Sequence, residues 1–173
     1  MSTYDRAVTF ATKAHVGQTR KHTGEWYITH PIRVAELLQR CGIDQEHILV
    51  AALLHDVLED CPMVSKEAIG EQFGDQVLSL VKQLTNVRST ENRQARKRAD
   101  LLRLRDVSAE AQTIKCADIA DNLKDFTLFD PDFALMFLEE KSDLHAELTK
   151  ADPVVYAWAE RELNKAWDFL EKI

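Results

Sequence analysis

Along the first sixteen residues the apolar positions Tyr4, Ala7, Val8, Phe10, Ala11 and Ala14 recur three and four residues apart. That spacing predicts an amphipathic helix over residues 3–16, because such neighbours share one face of a 3.6-residue repeat. Residues 17–29 break the pattern with Gly17 and Gly24 and carry Arg20, Lys21 and His22 in a polar loop. Pro31 suits the first turn of a second helix, which runs through Val34, Leu37 and Leu38 and stops near Gly42. Asp44 is expected to cap a third helix. Its residues 48–54 are apolar on every side, which predicts a buried central helix. A strand is the alternative for such a run, but Ala and Leu dominate and the flanks lengthen it.

Further on, Ser65 can cap a short helix ending near Phe73 and Gly74, and Val77, Leu78, Leu80, Val81 and Leu84 mark the next. Residues 86–92 read as a polar loop. Residues 93–105 hold six Arg or Lys and one acid, a basic helix. Ser108 opens a helix carrying Ile114, Lys115, Ala117, Asp118, Asn122 and Leu123. Asp130-Pro131 and Asp152-Pro153 each read as a cap followed by proline at the first helical position. The two helices they open are expected to bury Phe133, Phe137, Leu144, Val155, Trp158 and Trp167. Nothing calls for a strand, so the fold class is all-α. No repeat or linker divides the chain, so residues 1–173 are expected to form one domain.

Composition changes this picture little. Of 173 residues, 45 % are apolar and 29 % charged, enough for a substantial core. Only 5 Gly and 4 Pro disfavour a turn-rich β-architecture. The net charge of −7 argues against a nucleic-acid partner, which requires a cationic surface. It leaves room for a small phosphorylated substrate, because a metal and a few local cations reverse the sign inside a cleft. Cys41, Cys61 and Cys116 form no C-x-x-C pair and read as free thiols, which points to a cytoplasmic location. No apolar leader or membrane-spanning run is visible, so no membrane partner is expected.

The chemistry concentrates where the buried run ends, at His55-Asp56-Val57-Leu58-Glu59-Asp60. Burying ionisable groups is costly unless they are paired or bound to a metal. On a helix, residues 55 and 59 share a face, as do 56 and 60. Imidazole plus carboxylate suits a divalent cation such as Mn²⁺, Fe²⁺ or Zn²⁺. His30, just before a helix, and Asp118, within an apolar helical stretch, are the best-placed further ligands. Taken singly, each of these residues has an ordinary reading as a helix flank, a cap or an ion pair. Lys115, three residues before Asp118, and Asn122, four after it, lie near one helical face with it.

The ordered pattern His30, His55-Asp56, Asp118 resembles the HD-domain superfamily. More narrowly, the chain looks like the hydrolase domain of RelA/SpoT homologues, in the single-domain small alarmone hydrolase form. The resemblance rests on Gly17-Gln18-x-Arg20-Lys21, Tyr27-Ile28-x-His30-Pro31, Leu53-Leu54-His55-Asp56-x-x-Glu59-Asp60 and Lys115-x-Ala117-Asp118-x-x-x-Asn122-Leu123. It covers roughly residues 7–126 and assigns no motif to residues 127–173. It implies a multi-helix bundle and a Mn²⁺-dependent removal of the 3′-pyrophosphate from guanosine tetra- or pentaphosphate. His30, His55, Asp56 and Asp118 would hold the metal. Glu59 and Asp60 would orient the attacking water or carry its proton, and Arg20, Lys21, Lys115 and Asn122 would bind phosphates and nucleoside. The basic helix, especially Lys97 and Arg98, either faces the phosphates or is a solvated surface. His15 is expected to be a packing residue, and His22, His47 and His145 receive no role.

Two positions depart from the family. Ile119 stands where Lys or Arg is usual, and Asp121 where His or Tyr is usual, near the expected nucleoside site. An adenosine alarmone or another phosphorylated metabolite is therefore an alternative substrate. A non-catalytic helical binding module is the remaining alternative.

Overall fold

The computed structural model describes residues 1–86 and 90–172, and the chain divides into two compact units, Met1–Thr85 and Asn86–Ile173. Among the described residues every regular element is helical, apart from one isolated antiparallel bridge between Thr19 and Trp26.

In the first unit, α1 spans Thr3–Ala14, α2 Thr29–Arg40, α3 Glu46–Leu54, α4 Val57–Asp60, α5 Lys66–Phe73 and α6 Asp75–Leu84. Ser2 opens α1 with a reciprocal box: its hydroxyl accepts from the Asp5 amide and the Asp5 carboxylate accepts from the Ser2 amide. The helix closes at His15, slightly before the expected residue 16, where Gly17 at φ +79° turns the chain. Gly42, at φ +87°, follows Cys41, the residue that closes α2, near where the sequence predicts the stop. Asp44 does not cap α3; Gln45 occupies that position in extended backbone with no side-chain bond.

The expected buried helix is α3. Ile48, Leu49, Val50, Ala51, Ala52, Leu53 and Leu54 are all buried, packed by α1, α2 and α6. Each large aliphatic side chain there contributes about 2 kcal/mol by leaving water. A helix sheathed on all sides is a rigid platform for whatever its end carries.

In the second unit, α7 spans Arg93–Asp106, α8 Ala109–Asn122, α9 Pro131–Glu147 and α10 Pro153–Leu170, with a 3₁₀ segment over Leu123–Leu128. Asn92, Ser108, Asp130 and Asp152 each accept a backbone N–H at the start of these helices. The basic helix is α7. The expected loop over residues 86–92 falls in part on residues 87–89, which lie outside the described residues. The core of this unit is α8 against α10 and α9. Of the side chains expected to fill it, only Val155 is fully buried; Phe133, Phe137, Leu144, Trp158 and Trp167 are half-buried. Ala134, Leu138, Ala159, Leu163 and Ala166 occupy the deep positions instead. Large rings reach the surface from positions that small side chains fill completely.

The three cysteines carry free thiols, with Cys61 and Cys116 buried and Cys41 half-buried. Burial pushes the Cys116 thiol up to about 12. No helix among the described residues is long and apolar enough to cross a membrane.

Candidate functional site

The apolar run of α3 delivers His55 and Asp56 at its end. Both stay in right-handed helical backbone, and the Asp60 amide donates to the Asp56 carbonyl at 2.9 Å. One turn therefore separates Asp56 from Asp60 even though the helix is broken between α3 and α4.

His55 is 2 % exposed, and its Nδ1 lies 2.7 Å from the Ala52 carbonyl. A carbonyl only accepts, so Nδ1 carries a proton and Nε2 is the nitrogen aimed outward. That Nε2 is 3.0 Å from Asp56 Oδ2. His30, at 1 % exposure, brings its Nε2 to 3.6 Å from the same oxygen, and the two imidazole rings lie 5.3 Å apart. The Tyr27 hydroxyl donates to that oxygen at 2.6 Å. His30, His55 and Asp56 are thus brought together within the first unit. A neutral Nε2 lone pair and a carboxylate oxygen at 3.0 Å repel unless a proton or cation is shared between them. The donor set of imidazole nitrogens and carboxylate oxygen suits a divalent metal with open positions. The bond from Nδ1 to a backbone carbonyl is the kind of support that orients a metal-binding histidine.

Glu59 and Asp60 sit at the rim. The Asp60 carboxyl is held above the usual carboxylate range, first by partial burial, then by the Asp56 and Glu59 carboxylates; the Tyr27 hydroxyl opposes the shift. Behind Asp60 stands a polar strut. The Gln18 amide donates to the Asp60 carbonyl at 3.1 Å, and Gln18 Oε1 is 2.7 Å from His15 Nδ1. His15 also packs against Tyr27, ring to ring at 4.8 Å. It therefore does more than fill space, which the sequence reading did not foresee. Arg20 and Lys21 lie in a tight loop closed by the Arg20 amide on the Glu25 carbonyl at 2.8 Å and the Tyr27 amide on the Gln18 carbonyl at 3.0 Å. Arg20 is half-buried and Lys21 exposed.

In the second unit, α8 carries Asp118 at 4 % exposure. Lys115 Nζ lies 2.7 Å from Asp118 Oδ2, and Asn122 Nδ2 donates to Asp118 Oδ1 at 2.6 Å. The predicted shared face of Lys115, Asp118 and Asn122 is therefore present. Ile119 and Asp121 are both fully buried, and Asp121 pairs with Lys124 Nζ at 3.1 Å. Neither side chain presents an open surface to a nucleoside.

One residue that contacts Asp56 escaped the sequence reading. Tyr27 was visible only as part of a motif, three residues before His30.

The chain matches the family model described as "HD domain" over residues 7–154. It is 38 % identical over 138 residues to a Drosophila melanogaster protein named guanosine-3′,5′-bis(diphosphate) 3′-pyrophosphohydrolase MESH1, covering 76 % of each chain. It is 32 % identical over 166 residues to an Aquifex aeolicus protein named guanosine-3′,5′-bis(diphosphate) 3′-pyrophosphohydrolase, covering 95 % of this chain but 23 % of that relative's length. Among solved structures, one described as a metazoan ortholog of SpoT that hydrolyzes ppGpp superposes with a TM-score of 0.87. The two share 26 % identity, with 95 % of this chain and 96 % of that one covered. With its match running from α1 to the start of α10, this chain belongs to the HD-domain family.

Proposed function

We propose that the protein is a metal-dependent pyrophosphohydrolase that removes the 3′-pyrophosphate of guanosine 3′,5′-bis(diphosphate), releasing GDP and pyrophosphate. Its 173 residues then act as one hydrolase domain, and its free thiols suit a reducing, cytoplasmic setting. The observation that carries the reading is the His55 ring, fixed by Ala52 so that Nε2 faces Asp56 at 3.0 Å. The relatives' names and the HD-domain match support the substrate class.

His30, His55, Asp56 and Asp118 are the proposed ligands, and Mn²⁺ the proposed ion. When bound, a divalent ion supplies Lewis acidity to the phosphoryl group and lowers the pKa of water. The rest falls to the side chains. Water adds to the phosphorus attached to O3′, the O3′–P bond breaks, and pyrophosphate leaves. The raised carboxyl of Asp60 suits it to take the proton of the attacking water and return it to the leaving oxygen, with Glu59 orienting the water. Tyr27 holds Asp56 in place through its hydroxyl. Lys115 offsets Asp118, and Arg20 and Lys21 neutralise phosphate charge.

The test is pyrophosphate release by the purified protein with Mn²⁺, with Mg²⁺ or Zn²⁺ in its place, and with a chelator. Guanosine 3′,5′-bis(diphosphate) and its adenosine counterpart are compared side by side. Mn²⁺-dependent release from the guanosine nucleotide is expected. Release from the adenosine nucleotide alone refutes the base assignment, and no release from either with metal bound refutes the hydrolase.

A further inference from the structure

Gln18 and His15 tie the loop after α1 to the end of α4 through polar atoms that the mechanism above does not use. α4 is a single turn, Val57–Asp60, and Pro62 follows its closing residue Cys61. The last carbonyls of a helix find no donor within it, and proline has no N–H to offer. The main-chain carbonyl of Asp60 is such a group, and its donor comes from another element, Gln18 Nε2 at 3.1 Å. A carbonyl only accepts, so this bond fixes the Gln18 amide and leaves Oε1 to face His15 Nδ1 at 2.7 Å. Oε1 also only accepts, so His15 Nδ1 carries a proton. The Cys61 sulfur is a weak acceptor beside both, 3.4 Å from His15 Nδ1 and 3.9 Å from Gln18 Nε2. His15 is 3 % exposed, and its Nε2 is buried without a hydrogen-bond partner among the described residues. An unsatisfied buried nitrogen carries a desolvation cost that a phenyl ring of similar size would avoid. The imidazole is therefore present for the bond that its other nitrogen makes.

We propose that Gln18 is a positioning residue for hydrolysis: oriented by His15, it holds the backbone of Asp60 so that the Asp60 carboxyl meets the attacking water at a fixed distance. This rests on the hydrolase reading for the role of Asp60. Neither Gln18 nor His15 touches the reacting atoms. The bonds run from His15 Nδ1–H to Gln18 Oε1, and from Gln18 Nε2–H to the Asp60 carbonyl. The backbone of Gln18 is itself anchored, its amide donating to the His15 carbonyl and its carbonyl accepting from the Tyr27 amide, each at 3.0 Å. Tyr27 shares this base: its ring lies 4.8 Å from that of His15, and its hydroxyl donates to Asp56 at 2.6 Å. One brace thus serves both acids that the turn separates, Asp56 and Asp60. Displacing a reacting group by about 1 Å can cost up to about a hundredfold in rate, which is why a bond to a backbone carbonyl can matter to turnover.

Two measurements on the full chain test the proposal. The first is independent of turnover: nitrogen NMR of the histidine-labelled protein, with the His15 signals assigned by their loss in His15→Asn. Nδ1 protonated and Nε2 bare is expected, and the opposite tautomer overturns the brace. The second is the kinetics of Mn²⁺-dependent pyrophosphate release from guanosine 3′,5′-bis(diphosphate). Gln18→Met should lower kcat by about tenfold and leave KM and metal content within a factor of about two. Gln18→Glu keeps the acceptor for His15 but not the donor for Asp60; it should lose as much, and serves if Gln18→Met fails to fold. His15→Phe should match Gln18→Met, and the two combined should cost no more than either alone. His15→Asn, whose amide nitrogen stands near the place of Nδ1, should restore most of the kcat lost in His15→Phe. Wild-type kcat in both Gln18 variants, a loss of metal content equal to the loss of kcat, or additive losses in the double variant overturns the proposal. The expected tautomer without any pyrophosphate release refutes only the hydrolase reading.

Discussion

The end of α3 and the middle of α8 both place acidic groups in a nearly dry setting, and they neutralise them differently. On α8, Asp118 is served by its own helix: Lys115 one turn before at 2.7 Å and Asn122 one turn after at 2.6 Å. At the end of α3, Asp56 meets two imidazoles and a phenol. Where a helix supplies its own counter-charge, the acid is stable without a ligand. Where it supplies imidazoles instead, the charge balance depends on a proton or a metal.

The sharpest way to break this contrast is His55→Ala. It should abolish metal retention, read by elemental analysis, and lower turnover by about 10³ or more. Unchanged metal content would show that the cluster at α3 does not carry the ion. Next comes Lys115→Met, which leaves Asp118 buried beside Asn122 alone. Breaking such a pair should cost about 3 kcal/mol of stability by denaturant unfolding. Added Mn²⁺ should raise the melting temperature of this variant more than that of the wild type; equal shifts would separate Asp118 from the ion. Asp60→Asn removes the proton carrier and not a ligand. It should lower kcat by about a hundredfold while leaving metal content within a factor of two, checked by kinetics and elemental analysis on one sample.

The smallest expected effect concerns Lys141. Its ammonium is held down at about 8 in the folded protein against an ordinary 10.5. Between those values the unfolded chain binds the extra proton, so this site's contribution to stability rises with pH across the window. It is lost as pH falls through 8. The wild type should gain about 1 kcal/mol between pH 7.5 and 9.5 relative to Lys141→Met, measured by chemical denaturation. A constant difference would mean that the lysine is solvated.

Much of the site was legible because chemistry interrupted a pattern. His55-Asp56 announces itself by ending seven buried apolar residues, and Lys115, Asp118 and Asn122 by their helical spacing. Tyr27 was not legible, since its hydroxyl reaches Asp56 through the fold of the 17–29 loop and not through any period. Lys141 was hidden because one lysine on an amphipathic helix does not reveal whether a neighbouring helix covers it. The fold shows the same limit. Asp130 and Asp152 cap their helices as local signals require, whereas Asp44 lost that place to Gln45. The aromatic residues of α9 and α10 were read as deep because of their size, while depth is set by which small side chains admit a neighbouring helix.

The uneven burial of the three thiols has a practical use. Cys116 at about 12 is protonated at neutral pH, and Cys61 is both buried and raised, so neither supplies the thiolate that alkylating reagents attack. Cys41, just past the end of α2, is the accessible one. A maleimide fluorophore should attach there once per chain, giving a natural handle for following ligand arrival without engineering a cysteine-free background.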